Sequence, residues 1–596
     1  MPSYKAPLDE YRFVMNEVLD AGELSALPGF EDATPDLIAS VLEEAAKFCE
    51  TVLQPLNQRG DAEGCIYENG TVRTPTGFKE AYDKYAEGGW PGLGCSPEYG
   101  GQGLPHTLGF AIEEFICSAN LSFGTYPGLT NGAYGAIEAH ATQELKNRYL
   151  PKMAAGEWSG SMCLTEPHCG TDLGLIKTRA LPAGDGTYKI TGTKIFITAG
   201  EHDLTRNIIH LVLAKLPDAP AGTKGISLFL VPKFIPDANG EPGTRNGVRC
   251  GSIEHKMGIK ASATCVMNFD DAVGWLIGEP NQGMRAMFTM MNAARLGVGI
   301  QGLGVAEVAR QNALIYAKDR LQGRALTGAK APDKPADPII VHPDVRKNLL
   351  EAKAFTEGAR ALAVLVSLNI DRAKHHPDAA VRQQANDFVA LLTPVIKAYF
   401  TDMGVDITIK MQQMYGGHGY IREWGMEQFV RDARIFMLYE GANAIQALDL
   451  VGRKLPQDGG RAIRAFFASV QTELEAAKAD AALGDIAGPL GDAVGKLQQA
   501  TGWLAQNGFA NPDEAGGAAT DYLRIFALVS LGWMWLKLSR AAHSKIGSGD
   551  GMAQYYDAKI KTARFFAQKM LPEVGSRFQS LTAGSKTVME MAVEQF

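Results

Sequence analysis

The sequence predicts an α+β protein of several domains, in which a β-domain lies between helical regions. Apolar residues recur at intervals of three and four up to residue 160 and again after residue 281, which is typical of amphipathic helices. Between 161 and 280, short β-branched runs are bounded by Gly and Pro, which is typical of strands. The 596 residues also exceed what a single hydrophobic core holds.

The first region, residues 1–160, combines helices with glycine-rich loops. Helical spacing is clearest in three segments, Pro35–Leu53, Thr76–Glu87 and His106–Ser118. We therefore expect an N-terminal helical domain preceded by an arm.

The second region, residues 161–280, predicts a compact β-domain of antiparallel strands. The segment Tyr188–Thr198 alternates apolar and polar residues and has a glycine, Gly192, in its middle, where we expect a turn. Two shorter strands are expected at Ile208–Ala214 and Ile226–Val231.

Helical periodicity returns in residues 281–455 and continues in a further domain, residues 456–596. The long helices of the third region are expected at Met284–Asp319, His342–Ile370 and Ala379–Met414, with a surface loop at Gly328–Pro338. The helices of the last region are expected at Ala462–Leu474, Leu490–Leu504, Ala518–Ala541 and Met552–Leu571.

Composition excludes several classes of protein. A net charge of −8 argues against a nucleic-acid binder. The eight cysteines show no CxxC pair, so we expect a reducing, cytoplasmic compartment. No histidine has a metal-ligand spacing, so we expect no metal site.

The most apolar run, Ile525–Leu536, is shorter than the roughly 20 residues that span a bilayer, so we expect a core helix and no membrane span. Strand and helix do not alternate, which excludes doubly wound dinucleotide folds.

Four segments carry residues suited to a cofactor site. Met162–Asp172 is a loop rich in hydroxyls and glycine that could present donors to a flat ring or a diphosphate, although alone it would be an ordinary turn. The other segments are Phe196–Thr198, Gln413–Tyr420 and Arg431–Gln446.

Together, in this order and spacing, the four segments resemble the acyl-CoA dehydrogenase family over about residues 80–455. The resemblance implies an N-terminal α-domain, a middle β-domain and a C-terminal four-helix domain with FAD at their junction. Residues 456–596 would be an extra C-terminal helical domain.

The resemblance also implies roles in FAD binding. Thr165 would bond the flavin ring, Phe196 would cover one face, and Thr198 would reach the N5 region. Arg320 would contact the FAD diphosphate of a neighbouring subunit. The full set of expected cofactor residues is Met162, Leu164, Thr165, Gly170, Thr171, Phe196, Ile197, Thr198, Arg320, Gln322, Gln413, Met414, Gly416, Gly417, Ala442 and Asn443.

Glu440 matches the family's catalytic base. It would remove the weakly acidic α-proton of an acyl-CoA thioester while hydride leaves the β-carbon for the flavin. The thioester oxygen would accept a hydrogen bond from the Glu440 N–H. The expected substrate residues are Thr171, Arg295, Tyr439, Glu440 and Gly441. From the residues alone, Glu440 could instead cap a helix or pair with Arg434.

Several positions depart from the family pattern. The segment Arg320–Arg324 lacks the usual Phe, which leaves a contact to adenine in doubt and makes a surface ion pair for Arg320 more credible. Ala442 replaces the usual Thr, and Ala199 replaces the usual Asn.

The segments Tyr4–Leu8 and Ile253–Ser262, together with the full length, resemble bacterial members that oxidise 3-(methylthio)propionyl-CoA during breakdown of dimethylsulfoniopropionate. The extra domain is typical of larger, homodimeric members, and the family implies an electron-transfer flavoprotein as acceptor. The alternatives are a fatty acyl-CoA dehydrogenase, a flavin oxidase, a DNA-associated protein of the same fold and a non-catalytic scaffold.

Overall fold

A computed structural model describes residues 2–508, 510–547 and 551–596. The chain divides into two compact units. One unit comprises Met1–Ala46, His106–Glu114 and Val298–Phe596, and the other comprises Lys47–Pro105 and Phe115–Gly297.

Helices dominate the first 160 residues, as predicted. The helix predicted to end at Ser118 continues to His140, although Asn120 inside it has non-helical dihedrals. A short hairpin of β1 (Ile66–Glu68) and β2 (Thr71–Arg73) interrupts the helices along the chain. The helices are α1 (Leu8–Phe13), α2 (Pro35–Phe48), α3 (Gln54–Glu63), α4 (Phe78–Glu87), α5 (His106–His140) and α6 (Gln143–Ala154).

The middle region folds into a β-structure whose strand pairings close on themselves. Its strands are β3 (Trp158–Cys163), β4 (Arg179–Pro182), β5 (Tyr188–Thr198), β6 (Asn207–Lys215), β7 (Ile226–Pro232), β8 (Phe234–Pro236), β9 (Pro242–Arg245), β10 (Val248–Ile253) and β11 (Thr264–Ile277). β11 pairs with β5, β5 with β4, β4 with β6, β6 with β7, and β7 with β11. The interior is filled by apolar side chains such as Cys163, Ile190 and Phe229, none of them exposed to solvent.

Two expectations for this region are wrong. The sheet is mixed rather than antiparallel, because β3 and β4 both run parallel to β6. The turn expected at Gly192 is absent from β5, which continues through it. Glycine is required there because a Cβ would lie 2.4 Å from the Thr178 Oγ1, so two segments approach closely where a turn was expected.

The remaining chain is helical, and the helix predicted at Ala379–Met414 has those bounds. Helix α16 was not predicted, and helix α14 is longer than its prediction at both ends. The helices are α7 (Gly283–Asp319), α8 (Pro343–His375), α9 (Ala379–Met414), α10 (Met426–Ala433), α11 (Asn443–Asp449), α12 (Arg461–Ala477), α13 (Gly484–Asn507), α14 (Pro512–Lys545), α15 (Ala553–Phe565), α16 (Glu573–Thr582) and α17 (Lys586–Met589).

Helix α14 is the central helix of the C-terminal region and packs against α8, α9 and α11. Within the described part of the chain, two helices are long and apolar enough to cross a membrane, α9 and α14. Their most apolar windows are 72% and 83% buried inside the protein, as core helices are.

Candidate active site

The loop after β3 is tied to strand β5 by a buried lysine. The Thr165 carbonyl oxygen accepts a hydrogen bond from the Ile195 N–H at 2.9 Å. Lys194, whose side chain is fully buried, donates to the Leu164 carbonyl oxygen at 3.0 Å and to the Glu166 carboxylate at 2.8 Å. The loop therefore has a fixed geometry relative to the strand.

The Glu166 carboxylate is the centre of this anchor. It accepts hydrogen bonds from the Lys177 N–H at 2.7 Å, from the Thr178 N–H at 3.0 Å and from the Thr178 hydroxyl at 2.6 Å. Burial raises the pKa of Glu166, but the Lys194 ammonium and these donors outweigh it and hold the pKa below its usual range. Glu166 is therefore a charged partner that stays ionised at neutral pH.

The end of strand β5 presents an aromatic ring to solvent. Phe196 is 59% exposed and has a left-handed backbone with φ of 60°, whereas the next residue, Ile197, is buried. Thr165 and Thr198 are half-buried, and their hydroxyls make no hydrogen bond to another described residue. Free hydroxyls beside an exposed ring suit a flat heteroaromatic group with polar edge atoms, so these residues fit a flavin.

The other expected cofactor residues around the loop after β3, and the expected substrate residue Arg295, range from exposed to buried. Gly170 and Thr171 are exposed, while Met162 and Leu164 are mostly covered. Arg295 on α7 is only 6% exposed, and its guanidinium lies 5.9 Å from the centre of the Phe288 ring. The structure thus places the Arg295 side chain inside the protein.

One cluster of possible metal ligands occurs among the described residues. It consists of Glu166, His168 and Cys169, whose ligand atoms lie within 4.8 Å of one another. Because the Lys194 ammonium already lies against the Glu166 carboxylate, a cation at this point would meet a like charge.

Glu440 lies in the other unit, in the turn that precedes α11. Its backbone is left-handed with φ of 56°, and Gly441 follows with φ of 85°. The Gln446 amide nitrogen donates to the carbonyl oxygens of Glu440 at 3.0 Å and of Gly441 at 3.2 Å. The N-cap of α11 is Ala442 rather than Glu440, so the capping alternative is wrong.

A second fully buried lysine holds the same turn. The Lys397 ammonium donates to the Gly441 carbonyl oxygen and to the Asn443 Oδ1, both at 2.8 Å. The Asn443 amide nitrogen in turn donates to the Thr401 Oγ1 at 2.9 Å and to the Asp402 carboxylate at 2.6 Å. The turn that presents Glu440 is therefore bonded to the core of α9.

Tyr439, one of the expected substrate residues, is half-buried and precedes Glu440 in the chain. Its hydroxyl donates to the Gln301 side-chain oxygen. Its ring stacks with Phe436 at a centroid distance of 6.3 Å. These contacts fix the orientation of the ring.

The cofactor residues expected after residue 281 include a group at the end of α9 and two residues in the loop after α7. Gln413 and Arg320 are exposed, whereas Met414 is buried. Gly416 and Gly417 are exposed, and a Cβ at either would meet nothing within 4 Å, so their backbone is open to a ligand.

The loop that carries Gln322 is organised by a buried aspartate that the sequence analysis missed. The Asp337 carboxylate accepts hydrogen bonds from the N–H groups of Ala325, Lys330 and Ala331 at 2.7–2.9 Å. These donors lower the pKa of Asp337 to about 2. Gln322 itself is exposed, and its N–H donates to the Asp337 carbonyl oxygen at 2.9 Å.

Family models match most of the chain. Acyl-CoA dehydrogenase N-terminal, middle and C-terminal domain models match residues 38–157, 161–272 and 281–455. A fourth model, described as acetyl-CoA dehydrogenase C-terminal like, matches residues 463–592.

The chain belongs to the acyl-CoA dehydrogenase family. It is 43% identical to the 3-methylmercaptopropionyl-CoA dehydrogenase of Ruegeria pomeroyi, over 97% of this chain and 98% of that protein. It is 35% identical to a butyryl-CoA dehydrogenase of Syntrophomonas wolfei, over 100% of this chain and 99% of that protein. The fold matches the Bacillus anthracis acyl-CoA dehydrogenase complexed with FAD, with a TM-score of 0.76, 21% identity, and 94% and 90% of the two chains covered.

The predicted family and fold class are confirmed, and this acyl-CoA dehydrogenase is an FAD-dependent oxidoreductase that acts on an acyl-CoA. Two fully buried lysines that contact the motif segments, Lys194 and Lys397, were not predicted from the sequence. Each is the one charged residue of its segment, Lys194 in Ile190–Ile197 and Lys397 in Leu391–Phe400. That pattern was the available signal, because a fully buried charge requires fixed partners.

Proposed function

We propose that this acyl-CoA dehydrogenase oxidises a short acyl-CoA, with 3-(methylthio)propionyl-CoA as the favoured substrate and 3-(methylthio)acryloyl-CoA as the product. The name of the Ruegeria pomeroyi relative, which matches nearly the whole of both chains, supports this substrate. Sulfur on the β-carbon can support positive charge as hydride leaves that carbon, so the chemistry is reasonable for this thioether.

The observation that carries the proposal is the geometry of Glu440. A left-handed conformation is uncommon for a glutamate and is retained where the surrounding structure enforces it, which is typical of functional sites. Gln446 and Lys397 enforce it here through the carbonyl oxygens of Glu440 and Gly441. We infer that this turn presents the carboxylate to the α-proton of the bound thioester.

Separate residues of the chain would abstract the proton, stabilise the thioester oxygen and bind the flavin. The Glu440 carboxylate would take the α-proton, and its N–H would donate to the thioester oxygen as negative charge develops there. Thr165, Thr198 and Phe196 would hold and cover the flavin ring. FAD, when bound, supplies the acceptor for the hydride that leaves the β-carbon.

We also propose that the enzyme is a cytoplasmic homodimer that passes its electrons to an electron-transfer flavoprotein. The extra C-terminal domain, which a family model matches over residues 463–592 and which is typical of homodimeric family members, supports the homodimer. Arg320, exposed at the end of α7, remains free to reach the FAD diphosphate of a neighbouring subunit. Light scattering of the holoenzyme would give its mass, and a mass of one chain would contradict the dimer.

The test of the proposal is anaerobic bleaching of the bound flavin. The purified holoenzyme is titrated separately with 3-(methylthio)propionyl-CoA, butyryl-CoA and octanoyl-CoA, and Glu440→Gln is the matched control. We expect bleaching with the methylthio substrate at the lowest concentration and none with the variant. A variant that bleaches at the wild-type rate would show that Glu440 is not the base.

The second candidate is a fatty acyl-CoA dehydrogenase. The full-length match to the Syntrophomonas wolfei butyryl-CoA dehydrogenase favours it, because the same architecture there carries the name of a simple acyl substrate. Preferred bleaching by butyryl-CoA would support this candidate. Bound FAD that no acyl-CoA bleaches would point instead to a flavin oxidase or a non-catalytic scaffold.

A further inference from the structure

Lys397 is a positive charge in the middle of a core helix. Its neighbours on α9, including Val395, Ile396 and Ala398, are at most 1% exposed, and Lys397 itself is not exposed at all. Burying an ammonium group is unfavourable unless oxygen atoms surround it. An apolar residue would fill this position at lower cost, so the contacts that Lys397 makes should explain its presence.

Those contacts lead directly to the turn that carries Glu440. Lys397 donates to the Gly441 carbonyl oxygen, one residue after Glu440, and to the Asn443 Oδ1, at the first residue of α11. Lys397, which lies on α9, therefore forms hydrogen bonds to both ends of the short segment Gly441–Asn443.

Asn443 extends this chain of hydrogen bonds to a carboxylate. Its side-chain oxygen accepts from Lys397, and its side-chain nitrogen donates to the Asp402 Oδ1, the Thr401 Oγ1 and the Ala398 carbonyl oxygen. An amide has one accepting and one donating end, so this arrangement allows a single orientation of Asn443. The turn is thus set from α9 by a buried array of fixed polarity.

The turn is not held by a helix cap at this end. Ala442, the N-cap of α11, has no side-chain oxygen to cap the helix. Glu440 and Gly441 both have positive φ, a combination that local backbone preferences do not favour for a glutamate. The side chains of Lys397 and Gln446, which donate to carbonyl oxygens of this turn, support its conformation.

We propose that Lys397 is a positioning residue for the reaction, which acts by fixing the Glu440–Asn443 turn through the Gly441 carbonyl oxygen and the Asn443 side chain. This inference rests on the proposed role of Glu440 as the base. Lys397 touches the turn and leaves proton abstraction to Glu440.

The test compares Lys397→Met with Lys410→Met in the holoenzyme. Lys410 is a matched control because it lies on the same helix and donates at 2.7–2.8 Å to Asp406 and Glu351, away from the turn. Stopped-flow bleaching by 3-(methylthio)propionyl-CoA gives the limiting rate constant and, separately, the apparent affinity. We expect the rate constant to fall roughly 100-fold in Lys397→Met, as misplacement of a catalytic group costs, and about twofold or less in Lys410→Met.

A second readout does not depend on turnover. Amide hydrogen exchange of the peptide containing Glu440–Asn443, measured by mass spectrometry, should accelerate in Lys397→Met and stay unchanged in Lys410→Met. FAD content and the affinity for acyl-CoA should stay close to wild type in both. Lys397→Gln keeps an N–H donor without the charge and should recover part of the lost rate.

The inference would be overturned by a Lys397→Met enzyme that bleaches at the wild-type rate with unchanged exchange in the turn. If Lys397→Met does not fold, Lys397→Gln decides, and a wild-type rate and exchange in that variant would equally overturn it. Glu440→Gln separates the two proposals. An inactive Glu440→Gln with an unaffected Lys397→Met removes only the role of Lys397, whereas an active Glu440→Gln removes the proposed function itself.

Discussion

Two lysines in different units of this enzyme are fully buried and make closely similar contacts. Lys194 donates to the Leu164 carbonyl oxygen and to the Glu166 carboxylate in the flavin loop. Lys397 donates to the Gly441 carbonyl oxygen and to the Asn443 amide oxygen in the turn of the proposed base. Each lysine thus fixes a motif segment to a regular element behind it.

The two lysines differ in the charge of the side chain they bind. Lys194 binds a carboxylate directly, so removing it leaves a buried negative charge without its counter-charge. Lys397 binds an amide, and the Asp402 carboxylate lies one hydrogen bond further away. We therefore expect changes at Lys194 to act mainly on stability and changes at Lys397 to act mainly on rate.

The largest expected effect is the loss of stability in Lys194→Met. Breaking a buried ion pair by removing one partner costs about 3–5 kcal/mol. The midpoint of urea unfolding, followed by circular dichroism, should fall accordingly. Lys397→Met should lose less stability than Lys194→Met.

Lys189→Met is the control for this prediction. Lys189 lies on the same strand, is about half exposed and pairs only loosely with Asp271 at 3.9 Å. Its removal should change the stability by about 0.5 kcal/mol or less. Equal losses for Lys194→Met and Lys189→Met would contradict the comparison.

Lowering the pH should cost less stability than Lys194→Met does, because a protonated Glu166 keeps some of its hydrogen bonds. The pKa of Glu166 is lower in the folded protein than in the unfolded chain. Its contribution to stability is therefore fully present above the unfolded value, about 4.3, and is lost as pH falls through the lower folded value. Urea unfolding from pH 6 to pH 3 should show this loss, and the dependence should be flatter in Glu166→Gln. An identical slope in the variant would remove Glu166 as a cause.

The sequence predicted the elements that carry both lysines, because periodicity reports which face of a helix or strand is buried. The helix around Lys397 has the predicted bounds, whereas the segment around Lys194 is one continuous strand without the turn expected at Gly192. The motifs also named Glu440, Gly441 and Asn443 as site residues. The partners of the lysines could not be predicted, since Lys397 and Gly441 are 44 residues apart and meet only through the packing of α9 and α11.

The wrong predictions have the same physical origin. Gly192 was expected in a turn because glycine interrupts an alternating pattern, but the glycine is required by the close approach of Thr178. Parallel pairing of β3 and β4 with β6 depends on connections between strands, which alternation along one strand does not record.

Gly441→Ala should slow flavin bleaching, because it disturbs the turn that Lys397 contacts. A left-handed alanine costs about 1–2 kcal/mol. The new Cβ would also lie 2.7 Å from the Gln446 amide nitrogen, which now donates to the Glu440 carbonyl oxygen. Bleaching should slow by roughly 10–100-fold, since the base would move. The control is Gly452→Ala, where a Cβ meets nothing within 4 Å, and it should bleach like wild type.

The smallest expected effect is a gain, from Ala442→Thr. Helix α11 begins without a side-chain cap, and its N-cap alanine has extended dihedrals (φ −50°, ψ 151°) that suit a capping threonine. A threonine hydroxyl there should accept from a free N–H of the first turn and stabilise the helix by about 0.5–1 kcal/mol. Ala442→Val has the same shape without the hydroxyl and should give no gain. If threonine and valine shift the urea midpoint equally, the cap is not the cause, and the anchoring of this turn by Lys397 and Gln446 already suffices.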